Sequence, residues 1–450
     1  MTTLPEIPSY GSDYMPTDVP GPKARALVER DGHVLAPMGR VYPLVIDHAA
    51  GCEVWDVDGH RYLDVNAGIA VLAAGHCHPR LVRVGQEQLA RFTHMAGTDF
   101  YNEPMVKAAE KLVALMPGGA GWQVFFCNSG TEAIEASVKL ARYVTGRQNV
   151  IAFYGAFHGR SYGSLSLTAS KPRQRRGFFP LLPGTFHAFY ANPYRPPLGS
   201  DPARVTETCL AFIEQTLFTT TCPPEEVAAI VVEPIQGEGG YVVPAPGFLA
   251  GLRALCDRHG IMLICDEVQS GVGRTGKMWG FEHEGIVPDI VASAKGLGGG
   301  LPIGAMIARR ELAQRWQPGS HGNTYGGNGL TCAVTHELLC LVEEELMANA
   351  ARVGARLKAR LDDLLPRFAQ VGCVRGRGLM IGVELIDPSS GAPDHDLAEA
   401  VMAECFRKGL LVLTCGASTI RFCPPLTLTA EQADEAVERF TLALAACVAA

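Results

Sequence analysis

The chain has 450 residues, 47% hydrophobic and 19% charged, which is enough for a large core and two domains. A net charge of −7 excludes the basic footprint of a nucleic-acid binder, and no apolar run approaches the ~20 residues of a membrane span. Met1 to Tyr14 is polar, with acids and prolines, and lacks the basic-then-apolar plan of a signal peptide. The 14 cysteines stand singly, mostly in apolar surroundings, and no CxxC pair occurs. That usage predicts buried, reduced thiols and a cytoplasmic protein.

In chain order, residues 1 to about 22 are Pro-rich and predict an extended arm, followed by a short helix over Ala24 to Arg30. Glu53 to Asp64 predicts a β-hairpin, two alternating runs around Asp58-Gly59. The triplet His76-Cys77-His78 invites a metal reading. Adjacent residues rarely converge on one ion and no second cluster follows, so no metal is expected. From Leu81 onward, helical patterns alternate with short apolar runs: Val124–Phe126, Val150–Phe153, Ile230–Val232, Ile261–Cys265 and Ile290–Ala292. Such runs, separated by helices such as Gly247 to His259, predict an α/β fold with a mainly parallel sheet covered on both faces. Beyond Ala333 the pattern changes. A long helix over Cys332 to Leu361 leads to a strand over Met380 to Leu385 and a helix over Asp396 to Lys408. A strand over Leu410 to Leu413 and a final helix from Glu431 complete a smaller α+β unit. The expected division is 1–77 for the arm and hairpin, which join the small domain, 78–340 for the large domain, and 341–450 for the rest of the small one.

Ligands of open α/β sheets bind beyond the carboxyl ends of the strands. The residues just past each run therefore sample the site: Asn128-Ser129-Gly130-Thr131, Gly155 to Arg160, Glu233, Asp266 to Gln269, and Lys295. Ser129 and Glu132 have capping-box spacing ahead of an apolar helix face. An ordinary N-cap explains that spacing. A Gly between two hydroxyl residues after a buried strand also makes a phosphate cup from backbone N–H groups. No GKT or GKS follows, so it is not a P-loop. Asp266 comes directly after five apolar residues, so its carboxylate is expected to be buried and paired with a cation, either an arginine or a protonated pyridine nitrogen. Phe157 can stack on a ring or fill the core.

Lys295 sits between the apolar run Asp289 to Ala292 and a glycine cluster, Gly296 to Gly300. A buried ammonium is costly. One escape is a stem that lets the head reach water; the other is a Schiff base formed by the amine.

Taken together, the ordered motifs resemble the class III (ω-amino) aminotransferases of pyridoxal-phosphate fold type I. The matching stretches are Asn128 to Ala133, Phe157 to Arg160, Glu233 to Gly240, Asp266 to Gly276, Lys295-Gly296 and Thr324 to Asn328; the resemblance runs from Gly21 to the last helix. It implies pyridoxal 5′-phosphate as cofactor. Lys295 carries it as a Schiff base and Asp266 pairs with the pyridinium. Ser129, Gly130, Thr131, Phe157, His158, Val268 and Gln269 complete its site, and Thr324 comes from the second subunit of a homodimer, the dimer standing alone or as half of a tetramer. Within the family, Ile69, Arg160, Glu233, Glu238 and Arg421 match the substrate pattern of 4-aminobutyrate aminotransferases. Two arginines suit the two carboxylates of 2-oxoglutarate, and Glu238 can neutralise Arg421 when the one-carboxylate donor is bound. Ornithine, N-acetylornithine or lysine aminotransferases are rival readings. So is an amino-acid racemase or epimerase, because Gly21 to Ala24 and Ser161 to Ser170 resemble a branch holding both activities.

Overall fold

The computed structural model describes residues 19–449, so the arm expected at the N-terminus lies almost wholly outside the described residues. The first helix is Pro22–Val34, longer than expected, with proline in its first turn, where a missing N–H costs nothing. Asp58, from the predicted hairpin turn, accepts the N–H groups of Lys23 and Ala24 at 2.9 and 2.8 Å.

The hairpin is present as antiparallel Glu53–Asp56 and Arg61–Asp64. Ile46–Ala50 pairs on one side, and Leu410–Leu411 joins in parallel on the other. The expected strand over Leu410 to Leu413 is therefore split. Its second part, Leu413–Cys415, belongs to another four-stranded antiparallel sheet with Val371–Arg377, Met380–Leu385 and Thr419–Phe422. The predicted 30-residue helix is Gly329–Leu341 and Met347–Asp362 joined by a π-helical segment, Val342–Leu346.

The central sheet has seven strands in the order Trp122–Cys127, Gly304–Arg309, Ile290–Ser293, Met262–Asp266, Val227–Val232, Asn149–Phe153 and Thr185–Ala188. The five predicted runs are all strands. Gly304–Arg309 is the one antiparallel strand, pairing with both Trp122–Cys127 and Ile290–Ser293. Both faces are covered: Ala133, Ile134, Leu140 and Ala141 of helix Gly130–Thr145 pack on one, and Phe248, Leu252 and Leu338 on the other. Residues buried on both faces have no reason to alternate, which is why these strands read as continuous apolar runs.

Register brings the chemistry together. Val232 lies opposite Cys265, and Asp266 opposite Ala292. Glu233, Asp266 and the Ser293-Ala294-Lys295 turn thus leave the sheet side by side. Among the described residues no helix is long and apolar enough to cross a membrane.

Candidate active site

A cavity of about 380 Å³ opens beyond these strand ends. Asn128 to Thr131, Phe157 to Gly159, Glu233, Asp266, Val268, Gln269 and Lys295 line it. Residues contributed by strands and turns over 160 positions apart in sequence therefore converge as the strand-end reasoning required. Val71, Ala294 and Gly300 to Ile303 also line it and escaped the sequence reading. For those that flank Gly296 to Gly300 the glycine cluster was the only signal; Val71 had none.

The helix that starts at Gly130 presents its N-terminus to the cavity. Ser129 Oγ accepts the Glu132 N–H at 3.3 Å. Glu132 does not close the capping box on Ser129. It reaches one residue further back and accepts both the backbone and side-chain N–H groups of Asn128, each at 2.9 Å. A Cβ on Gly130 would lie 2.8 Å from Val268 Cγ1, so only glycine leaves room here. Gly159 has φ +127°, and a Cβ there would meet Thr131 Oγ1 at 2.3 Å. Helix N-terminus, hydroxyls and close-approaching glycine form an anion cup.

Asp266 is buried at the end of its strand. Its Oδ1 accepts the Val268 N–H at 3.0 Å, and its Oδ2 accepts from His158 Nδ1 at 2.7 Å. Burial pushes the His158 imidazole towards the neutral form, but the Asp266 hydrogen bond and charge more than offset this and raise its pKa. Thr168, which the sequence reading missed, fixes that ring's backbone: its hydroxyl accepts the His158 N–H and donates to Gly159 O, both at 2.9 Å. His158 Nε2 and Gln269 Oε1 are buried without a hydrogen-bond partner among the described residues. Polar atoms so placed at a cavity call for a polar ligand.

Lys295 is half-buried, with its open side towards the cavity. Burial holds its ammonium below the usual lysine range, with Glu238 and Asp266 opposing part of that shift. Its backbone has φ +44°, a left-handed conformation unfavourable for a side chain and typical of functional positions. Glu233 is pushed up to about 7 by burial, against the opposing charge of His158. Both of its carboxylate oxygens accept backbone N–H groups, from Phe157 at 3.1 Å and Gly237 at 3.0 Å.

Five of the remaining sequence candidates flank the cavity or lie apart from its lining. Arg421 and Glu238 find each other across 183 positions, with Arg421 Nη1 donating to Glu238 Oε1 at 2.6 Å. Burial alone would raise the Glu238 carboxyl; the Arg421 guanidinium brings it below the ordinary range. Arg421 Nε is buried and has no acceptor among the described residues. Arg160 is exposed, its guanidinium 5.9 Å from the Phe157 ring centroid. Ile69 is 37% exposed, and Val71 takes the lining position instead. The segment is a left-handed turn: Ala67, Gly68, Ile69 and Ala70 have φ of +51°, +61°, +68° and +59°. Thr324 is exposed and is not part of the cavity lining of its own chain.

Comparison with known proteins gives the frame for this geometry. Residues 34–444 match the family model for class III aminotransferases. An acetylornithine aminotransferase of Methanopyrus kandleri is 41% identical over 90% of this chain and 95% of its own length. The 4-aminobutyrate aminotransferase of Escherichia coli is 38% identical over 89% of this chain and 93% of its own. An alanine/serine racemase of Pyrococcus horikoshii is 36% identical over 93% and 90%. The ω-transaminase of Pseudomonas jessenii in complex with PMP superimposes with a TM-score of 0.88 at 30% identity, covering 94% of this chain and 98% of that one.

Proposed function

Since the chain belongs to the class III aminotransferases, whose cofactor is pyridoxal phosphate, we propose that it transfers the amino group of 4-aminobutyrate to 2-oxoglutarate, giving succinate semialdehyde and glutamate. The observation that carries the choice of substrates is the Arg421–Glu238 pair. Arg421 is buried, already paired with a carboxylate through Nη1, and keeps a buried donor, Nε, without an acceptor among the described residues. A bidentate arginine that can exchange an internal carboxylate for a substrate carboxylate serves a dicarboxylate and a monocarboxylate in one site. In this reading Arg160 takes the carboxylate common to both substrates, while Ile69 and Glu233 flank the donor chain.

The cavity fits the cofactor. The Ser129-Gly130-Thr131 cup would hold phosphate, joined by Thr324 of the partner subunit in a homodimer. Phe157 and Val268 would cover the two ring faces. Gln269 would reach the ring oxygen, and Asp266, backed by His158, would hold a proton on the ring nitrogen. When bound, pyridoxal phosphate supplies an electron sink for the carbon that bears the amino group. The protein supplies proton handling. Lys295, with its pKa lowered by burial, offers a neutral amine that removes a proton from that carbon and returns one where the amino group is retained. His158 donates to Asp266 Oδ2 at 2.7 Å and fixes the orientation of the carboxylate. The two half-reactions share one site, so the kinetics are ping-pong.

The family also supports two rivals: an ornithine, N-acetylornithine or lysine donor, and a racemase that uses Lys295 and Asp266 but no oxo acid. The test is to add single amines to the yellow holoenzyme without oxo acid. The expected result is conversion to the pyridoxamine form with 4-aminobutyrate far faster than with ornithine, N-acetylornithine or lysine. A faster ornithine-type donor reassigns the substrate. Loss of optical activity from a single-enantiomer amino acid, without that conversion, establishes a racemase.

A further inference from the structure

The exchange at Arg421 leaves a charge without a partner. When a substrate carboxylate engages Arg421, Glu238 is displaced, and a carboxylate with only 17% of its side chain exposed must find another cation or a proton. Seven of the nine lysines are engaged, each by a carboxylate, a backbone carbonyl or a histidine nitrogen. Among the described residues the two whose ammonium groups have neither hydrogen bond nor ion pair are Lys295 and Lys171. Lys295 is explained by the site. Lys171 is not.

Its place in the fold is specific. The chain two residues earlier is tied to the turn after strand Asn149–Phe153: Ala169 N–H donates to Ala156 O at 2.8 Å, and Gly155 N–H to Ala169 O at 3.1 Å. The carbonyl of Gly155 approaches the Glu238 loop, where a Cβ on Gly239 would lie 2.6 Å from it. Glu238 O in turn accepts the Gly416 N–H at 2.8 Å, next to the strand that carries Arg421. The segment that carries Lys171 is thus tied through Gly155 to one side of the Glu238 loop, whose other side meets Gly416 beside the Arg421 strand. Lys171 is the next cation after Arg421 to lower the Glu238 carboxyl, which burial would otherwise raise. Arg375, also near the loop, is committed to Gly240 O and to Glu384, the latter at 2.6 Å.

The geometry points to Lys171 as a positioning residue that receives the Glu238 carboxylate when a dicarboxylate oxo acid takes Arg421. This rests on the reading of Arg421 and Glu238 as an exchangeable pair. Lys171 touches neither substrate nor cofactor; it lowers the cost of the open state and so favours the oxo-acid half-reaction alone. The closed pair, which serves the donor, does not need it.

The experiment measures both half-reactions of the holoenzyme by rapid-mixing absorbance. Lys171→Met is expected to weaken apparent 2-oxoglutarate binding about fivefold, the upper range for a partly exposed ion pair, with the 4-aminobutyrate half-reaction essentially unchanged. Lys171→Arg restores the oxo-acid step. In a Glu238→Gln background, where no anion is displaced, adding Lys171→Met changes nothing further. An equal loss in both half-reactions, no loss at all, or a loss that persists in the Glu238→Gln background overturns the assignment. If Glu238→Gln shifts the ratio of the half-reactions while Lys171→Met does not, only the role of Lys171 falls. If Glu238→Gln leaves that ratio untouched, the exchangeable pair falls with it.

Discussion

Replacing Arg421 with alanine separates the two halves of the proposed reaction. The guanidinium is 4% exposed and held by Glu238 at 2.6 Å, with Nε unpaired. In the oxo-acid half-reaction it makes two charge-assisted hydrogen bonds to the second carboxylate, each worth about 1.5–3 kcal/mol. Their loss amounts to roughly 3–6 kcal/mol, which is expected to lower kcat/KM for 2-oxoglutarate by about 10²–10⁴-fold. In the proposed reaction the 4-aminobutyrate carboxylate does not engage Arg421, so that half-reaction is expected to fall by much less. Single-turnover absorbance of the pyridoxal and pyridoxamine forms reads each half separately. Removing one partner of a buried pair also costs about 3–5 kcal/mol of stability, so thermal unfolding accompanies the kinetics. Arg421→Lys retains the charge without the fork and is expected to lie between wild type and Arg421→Ala. Equal damage to both half-reactions in a folded variant refutes the exchange at Arg421.

Lys295→Ala is expected to lose both the absorbance of the lysine-bound cofactor and turnover, and any retained transamination contradicts its role. Asp266→Asn is expected to slow proton abstraction by about 10³-fold or more, read from the kinetic isotope effect and the single-turnover rate, because the proton on the ring nitrogen loses its partner. A near-normal rate shows that the ring nitrogen is handled otherwise. Glu267 is a purely structural pH probe. Buried beside the site, it accepts from Ser270 Oγ at 2.6 Å and the Phe281 N–H at 2.8 Å, and burial pushes it from 4.5 up to about 7. A raised folded-state pKa contributes stability that is fully present below about pH 4.5 and lost as pH rises through 7, here about 3 kcal/mol. Urea unfolding of the apoprotein between pH 5 and 8 is expected to show this decline, and Glu267→Gln to remove that component. An unchanged pH slope in the variant refutes the assignment.

What the sequence made legible follows from burial. Strands covered on both faces are continuous apolar runs, so the first polar residue past each run marks the rim of the sheet. Asp266 and Lys295 were found that way. Two strands of the central sheet escaped. Thr185–Ala188 is a short edge strand with His187 in it, and Gly304–Arg309 is diluted by glycine and alanine. The antiparallel direction of the latter leaves no local trace at all. Substrate-side residues were harder to place. Arg421 and Glu238 are joined only by the packing of distant loops, which no spacing encodes. Ile69 was expected at the substrate; it sits among four successive left-handed residues, of which only Gly68 is a glycine, and Val71 lines the cavity within the same chain. The partner of Asp266 was expected to be an arginine or the cofactor; His158, 108 positions away, is the protein partner the fold supplies.

The central claim is the movement of one nitrogen atom. Holoenzyme given ¹⁵N-labelled 4-aminobutyrate and unlabelled 2-oxoglutarate is predicted to form ¹⁵N-glutamate and succinate semialdehyde in equal amounts, measured by mass spectrometry. Label that stays on 4-aminobutyrate, while ¹⁵N-ornithine or ¹⁵N-N-acetylornithine passes its nitrogen to glutamate or a labelled α-amino acid loses only its optical activity, contradicts it.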